Sequence, residues 1–326
     1  MSVNVTRKLL FERHVPRASR AHPSVSVVVP TLNGGELLLQ LLTTIQEQEV
    51  AGEVEVLIGD SESNDGSIEA AIREHPSVRV FTVSRARFDH GLVRTALIQR
   101  ARAEKVALFS QDAVPLSSRY LQKMANVLDD KSIAGVYARQ QPRPGADPLV
   151  CEMLERWTPS AIDSQATVPI LKELTDGVQL EDLEPLERMK MARFDNVASM
   201  VQAALFDRMP FPSRAFGEDI AWGALVLSAG LKLAYLPTAG VAHHHAPRLR
   251  STFERNRVAH RQARGEFGLH AVPGLSHLAR ALISGIPHDL RAGPVWALRG
   301  VPRRGAALLG QWAGAREACR ESNNES

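Results

Sequence analysis

Hydrophobic positions along the chain alternate between two periods. Val25-Ser26-Val27-Val28-Val29 is a β-branched run stopped by Pro30 and followed by Asn33-Gly34-Gly35, a strand entering a turn. Leu38, Leu41, Leu42 and Ile45 then recur at helical spacing over residues 36–48, and residues 53–59 return to a strand pattern. The same rhythm predicts helices over 66–74, 91–103 and 117–128 and strands over 78–83, 105–110 and 133–139. Strands alternating with helices predict an α/β fold with a doubly wound, mostly parallel, Rossmann-like sheet. Further on, 141–148 reads as a proline-rich loop and 151–191 as helical pieces of mixed charge. A strand is expected over 194–200, a helix over 217–228, and a strand over 231–235 that ends at Pro237. After His243-His244-His245 come helical segments punctuated by Pro273, Gly285, Pro287, Pro294 and Pro302, with no second sheet.

At 326 residues, with 44% hydrophobic and 23% charged residues, the chain can build one large core plus an appendage, and a disordered reading is excluded. Cys151 and Cys319 lie far apart with no CxxC spacing, so neither a disulfide framework nor a cysteine zinc site is supported, and a reducing cytoplasm fits best. The first 24 residues lack the apolar stretch of a signal peptide, and the run 278–286 is far too short to span a bilayer. The net charge of +3 hides an asymmetry, because residues 246–320 hold 13 Arg and no Lys against Glu254, Glu266, Asp289 and Glu317. Such a basic segment, interspersed with apolar residues, suits peripheral contact with an anionic membrane or a solvated helical face. Nucleic acid is not an expected partner, since no aromatic platform accompanies the arginines.

Parallel sheets bind ligands beyond the carboxyl ends of their strands, which draws attention to Thr31, Asn33, Asp60, residues 85–90 and Gln111-Asp112. No GxGxxG follows the first strand, which argues against a dinucleotide-binding domain. In the loop 60–67, Asp60 can accept from a base or a ribose hydroxyl, whereas Asp65 and Ser67 suit turn and cap roles. Asp112 is placed either to hold a divalent cation on a diphosphate or to cap a helix. Gly217-Glu218-Asp219 opens a helix, where acids are also favoured by the macrodipole, and a carboxylate there can serve as general base. The three consecutive histidines can offer a metal ligand or a phosphate donor, or be exposed loop residues.

Taken in order, Val28 through Gly35, Asp60 through Ser67, Phe88-Asp89-His90-Gly91 with Arg94, and Gln111-Asp112-Ala113-Val114-Pro115 resemble family 2 glycosyltransferases of GT-A fold. Ala134 through Gln140, Pro142-Arg143-Pro144, Phe194-Asp195-Asn196, Gly217-Glu218-Asp219 and the histidines continue the match, which looks like the rhamnosyltransferase branch and covers roughly 24–257. The resemblance implies a GT-A domain over 24–257, with a nucleotide-binding half to about 140 and an acceptor and catalytic half beyond. An N-terminal extension (1–23) and a basic helical C-terminal extension (258–326) flank it. It implies that Pro30, Thr31, Asn33, Asp60, His90, Arg94, Gln111 and Asn196 bind the nucleotide sugar. Asp112, His243 and His245 would hold Mg2+ or Mn2+, Asp219 would be the general base, and Glu218 would position a sugar beside it. One departure stands out: Ser110 occupies the first position of the Asp-x-Asp metal motif, leaving Asp112 as the single carboxylate.

The expectation is therefore an inverting enzyme that moves L-rhamnose from dTDP-L-rhamnose to a glycan or lipid-linked glycan at the cytoplasmic face of the membrane. A UDP- or GDP-hexose donor and a non-catalytic sugar-binding scaffold are the alternatives.

Overall fold

Val25–Thr31 (β2) is buried at every position, as a strand covered on both faces must be. The computed structural model, which describes residues 9–16, 22–159, 168–243 and 248–325, shows it at the centre of a 10-stranded sheet. Its neighbours are Val54–Asp60 (β3) and Lys105–Phe109 (β5), both parallel to it, with Arg79–Thr82 (β4) beyond β3. Side chains alternate between the two faces. Val25, Val27 and Val29 join Leu38, Leu41, Leu42 and Ile45 of helix Gly35–Gln46 (α1) in one core layer. Val28, Leu57 and Leu108 join Val93 and Leu97 of helix His90–Ile98 (α3) in the other. Helices Ser67–Glu74 (α2) and Tyr120–Val127 (α4) cover the first layer. The doubly wound, mostly parallel α/β architecture predicted from the alternation is thus the observed one.

The sheet departs from that pattern in particular places. Ile133–Gln141 (β7) does not adjoin β5: Ala198–Gln202 (β9) lies between them, antiparallel to both. Lys232–Ala242 (β10) pairs parallel with β7 and runs on through Pro237, where a strand end was expected; its register jumps between Leu236 and Gly240. Pro237 cannot donate to the ladder, and the irregularity takes up that gap. Three short strands had no sequence signal of their own. Phe11–His14 (β1), within the stretch read as an extension, forms the edge against β4, while Val114–Pro115 (β6) and Ile170–Lys172 (β8) both pair with β10. Helices Pro148–Trp157 (α5), Pro185–Ala192 (α6) and Glu218–Ser228 (α7) complete the core.

The C-terminal region is helical, as expected, but less interrupted than its prolines suggest. Leu249–Phe267 (α8) runs unbroken through position 257, where the sequence division was drawn. Gly285 and Pro287 lie inside Leu275–Ala292 (α9), and Pro302 lies inside Pro294–Glu325 (α10). Each proline removes the bond to a carbonyl four residues earlier, at Ile283 and Leu298, which are exposed positions where water can replace the lost donor. Helix α10 lies directly on α8 because Gly310 and Gly314 have no side chain; a Cβ at Gly314 would stand 1.9 Å from the Arg257 carbonyl oxygen. Arg257–Glu317 and Arg261–Glu321 ion pairs flank this contact.

Candidate active site

The parallel strands end together, and their registers set Thr31 opposite Asp60 and Asp60 opposite Thr82. Pro30, one residue earlier, is buried opposite Gly59. Gln111 ties the first loop to the fourth: its Oε1 accepts from Thr31 Oγ1 (2.6 Å) and from the Leu32 amide (2.8 Å). Asn33 sits in the left-handed region (φ 50°), which Asn tolerates, and clasps the second loop. Its amide donates to Ser63 Oγ (2.8 Å), and its Oδ1 accepts from the Asn64 amide (2.9 Å). Asp60 is fully buried; it accepts from the Ser63 amide (3.0 Å) and pairs with Arg13 of β1 (3.3 Å). Asp65 and Ser67 are bonded to each other at the start of α2, in keeping with a turn role, but the cap residue of that helix is Gly66 and no side chain caps it.

Asp112 caps no helix, since α4 starts at Tyr120 with Arg119 as its cap residue. It is buried at the strand end, with its Oδ1 3.5 Å from His243 Nε2. The backbone carbonyl of Asp112 accepts from Arg143 Nη2 at 2.5 Å. His243 is oriented by Gln140, whose Oε1 lies 2.7 Å from Nδ1. Gln140 Nε2 donates to the Asp195 carboxylate, which also accepts from Trp157 Nε1 (2.9 Å). With its amide nitrogen so committed, Gln140 presents oxygen to His243, so Nδ1 donates to Gln140 and Nε2 is the ring nitrogen turned toward Asp112. A carboxylate oxygen and an imidazole nitrogen oriented by an outer hydrogen bond are a donor set that fits a divalent cation. Among the described residues no group of three or more His, Cys, Asp or Glu converges as a complete metal cage. Two protein ligands nevertheless suit an ion that takes its remaining oxygens from phosphate and water. His244 and His245 lie outside the described residues.

The acidic pair opens α7, behind Gly217 in the left-handed conformation (φ 76°). Trp222, one turn on, is buried among Phe194, Phe206 and Phe211 and anchors the helix. The two acids face different partners. Glu218 is buried and ion-paired with Arg94 at 2.7 Å, with Asn196 Nδ2 at 3.4 Å. Asp219, half-buried, accepts from the Asn196 amide (3.2 Å) and from the Ile220 amide (2.9 Å). Burial, together with the charges of Glu218 and Asp195, pushes its carboxyl up to about 8. Arg94 also reaches His90 Nδ1 at 3.4 Å, and burial with this neighbouring cation lowers the imidazole below its ordinary range. Arg94, expected to meet a donor phosphate, is therefore engaged with Glu218 and His90.

One connected path links Asp112 to His243, Gln140 and Asp195. Asn196, the next residue along the chain, touches both Asp219 and Glu218. Gln140, Asp195, Arg143 and Arg13 had been given no role from sequence. The first three lie inside motifs quoted above for their resemblance. Arg13 lies in a stretch with no such signal.

A doubly wound sheet of this order, with carboxylates gathered at the strand ends, defines a GT-A glycosyltransferase fold. Residues 26–156 match the family model described as Glycosyl transferase family 2, which bears out the resemblance read from the motifs. The chain is 26% identical over 236 residues to the O-antigen chain rhamnosyltransferase RfbN of Salmonella typhimurium, covering 71% of this chain and 69% of that protein. Its fold is similar to that of the mannosyltransferase PcManGT of Pyrobaculum calidifontis in complex with GDP-Man and Mn2+. There the TM-score is 0.53, the identity 18%, and 94% and 77% of the two chains are covered. Glucosyl-3-phosphoglycerate synthase of Mycobacterium tuberculosis, in complex with Mn2+, UDP and glucosyl-3-phosphoglycerate, is similar at a TM-score of 0.51 and 18% identity over 76% and 81% of the two chains.

Proposed function

We propose that the protein is an inverting, metal-dependent rhamnosyltransferase that moves L-rhamnose from dTDP-L-rhamnose to a hydroxyl of a glycan or lipid-linked glycan. The observation that carries this reading is the path from Asp112 and His243 through Gln140 and Asp195 to the Asn196–Asp219 contact, which joins a cation-binding pair to a carboxylate of raised basicity. The rhamnosyltransferase relative supports the sugar, and the Mn2+ complexes of similar fold support the cation.

In this reading Pro30, Thr31, Asn33 and Asp60 enclose the nucleoside and Gln111 keeps the first loop closed over it. Asp112 and His243 would hold Mg2+ or Mn2+, which would supply positive charge against the diphosphate leaving group. Arg143, beside Asp112, adds a fixed positive charge there. Asp219 takes the proton of the acceptor hydroxyl, whose oxygen attacks the anomeric carbon as the bond to the diphosphate oxygen breaks. A single displacement inverts that carbon. A carboxylate titrating near neutrality is a stronger base than an ordinary one, which suits it to a hydroxyl proton. Glu218, neutralised by Arg94, orients the sugar together with His90 and Asn196.

The test is nucleoside-diphosphate release by the full chain supplied with dTDP-L-rhamnose and an acceptor glycan, with the anomeric configuration of the product read by NMR. Release that is independent of acceptor, or a product of retained configuration, refutes the mechanism. Turnover only with a GDP- or UDP-hexose would favour the second reading, which the GDP-Man complex of similar fold supports. Donor binding without release would mark a non-catalytic sugar-binding protein.

A further inference from the structure

The last two helices carry a surface that the proposed reaction does not use. Helix α9 turns Ile283 (64% exposed) and Leu290 (54%) to solvent, with exposed Ala279 and Pro287 at helical spacing between and beside them. Helix α10 does the same with Val295 (58%) and Leu298 (79%). Large apolar side chains so exposed in successive turns mark an interaction surface.

The charges beside them are of one sign. Arg280, Arg291 and Arg299 are exposed on the same two helices, and Arg299 stacks over Trp296. From 268 to 316 the sequence holds a single acid, Asp289. It is buried and consumed internally, accepting from Arg304 at 2.7 and 2.9 Å. The opposite side of the hairpin is fastened to the core, where Arg304 pairs with Glu152 of α5 (2.6 Å) and Arg303 pairs with Asp147. The apolar and basic residues therefore stand on a unit tied to the α/β domain, and between residues 268 and 316 no acid is exposed to repel an anion.

We propose that the outer surface of α9 and the first turns of α10 is a docking site for a bilayer bearing anionic phospholipid headgroups. Ile283, Leu290, Val295 and Leu298 enter the boundary between headgroups and acyl chains, and Arg280, Arg291 and Arg299 engage the phosphates. Charge complementarity selects this occupant: a second copy would set these arginines against each other, whereas an anionic lipid surface neutralises them. Among the described residues no helix is long and apolar enough to cross a membrane, so the contact is a surface one.

Co-sedimentation of the full chain tests this with vesicles of phosphatidylcholine mixed with phosphatidylglycerol and with vesicles of phosphatidylcholine alone. Binding is expected to the mixed vesicles at low salt, with release as salt rises. Neutralising Arg280, Arg291 and Arg299 to Gln should weaken partitioning by about fivefold per arginine and on the order of a hundredfold together. Ile283→Ser with Leu298→Ser should also release the protein. Because all five side chains are exposed, thermal midpoints should be unchanged, so loss of binding reports the surface and not the fold. Equal binding to both vesicle types, or binding that survives both sets of substitutions, overturns the proposal. Failure to bind either vesicle, with a dimer in analytical ultracentrifugation that the serine variants dissociate, assigns the surface to self-association and likewise overturns it.

Discussion

Asp219→Asn should divide activity from stability, with the direction of the stability change set by pH. In the folded protein the carboxyl is pushed up to about 8 by burial and by Glu218 and Asp195, so near pH 7 it holds its proton. In the unfolded chain an ordinary aspartate has lost its proton by then, and folding must take one up. The folded-state value is raised, so stability is greatest below the ordinary carboxylate range and falls as pH climbs toward about 8. Between an ordinary aspartate and pH 7 lie roughly three pH units, each worth about 1.4 kcal/mol, so the penalty approaches about 4 kcal/mol as an upper bound. Solvent reaches one side of the half-buried side chain, which reduces the figure toward about 2 kcal/mol. The amide escapes this penalty but has one oxygen for two backbone donors, Asn196 N–H and Ile220 N–H, and one orphaned donor costs about 1–2 kcal/mol. The variant should therefore be less stable than wild type by about 1 kcal/mol at pH ~2.5, below the ordinary aspartate range where both states are protonated, and more stable by a similar or larger margin at pH ~8. Urea unfolding at the two pH values measures both differences, and turnover should fall by about 10²–10⁴-fold as the base is lost. A variant destabilised equally at both pH values would refute the raised carboxyl, and near-normal turnover would refute its role as base.

Wild-type turnover should rise with pH, with its midpoint at about 8 and a plateau above that as Asp219 ionises, a limb that Asp219→Asn should lack; a flat profile counts against the assignment. Asp112→Ala should weaken Mn2+-dependent binding of the nucleoside diphosphate far more than binding of the free nucleoside, and calorimetry showing equal losses would make Asp112 a structural residue. Gln140→Ala should lower Mn2+ affinity by about 10–100-fold through loss of the His243 tautomer, and 15N shifts of the ring should show Nε2 acquiring a proton; an unchanged ring spectrum contradicts the relay. Arg94→Met should destabilise the fold by about 3–5 kcal/mol because Glu218 is left buried without its cation, and adding Glu218→Gln should restore much of that; additive losses in thermal melts would show the ion pair to be uncoupled.

The sequence by itself determined the local elements wherever burial is periodic. Residues 25–31, 35–46, 54–60 and 105–109 face fixed environments on the two sides of one sheet, so their apolar spacing reveals both type and face. The positions of Thr31, Asn33, Asp60 and Asp112, at or beyond the ends of the apolar strands, were legible for a related reason: a polar residue that follows an apolar run marks where the chain leaves the buried sheet. Strand order and direction were not legible. That β9 inserts antiparallel between β5 and β7 depends on pairings between residues 62–97 positions apart, which no local pattern encodes. The same holds for β1, four residues at an edge whose alternation is masked by exposure, although it delivers Arg13 to Asp60. Tertiary structure also decided what the chemical groups do. Glu218 and Asp219 are adjacent and alike in sequence, yet one meets a buried guanidinium, while the other has no cation in contact among the described residues and is raised in basicity by burial and by the charges of Glu218 and Asp195. Gln140, Asp195 and His243 come from three separate strands and loops, and only their convergence turns an amide, a buried acid and an imidazole into one directed hydrogen-bond path. Likewise, the C-terminal prolines predict interruptions that the structure does not show, because α10 is held by α8 from Gly310 onward and the lost bonds fall on exposed turns.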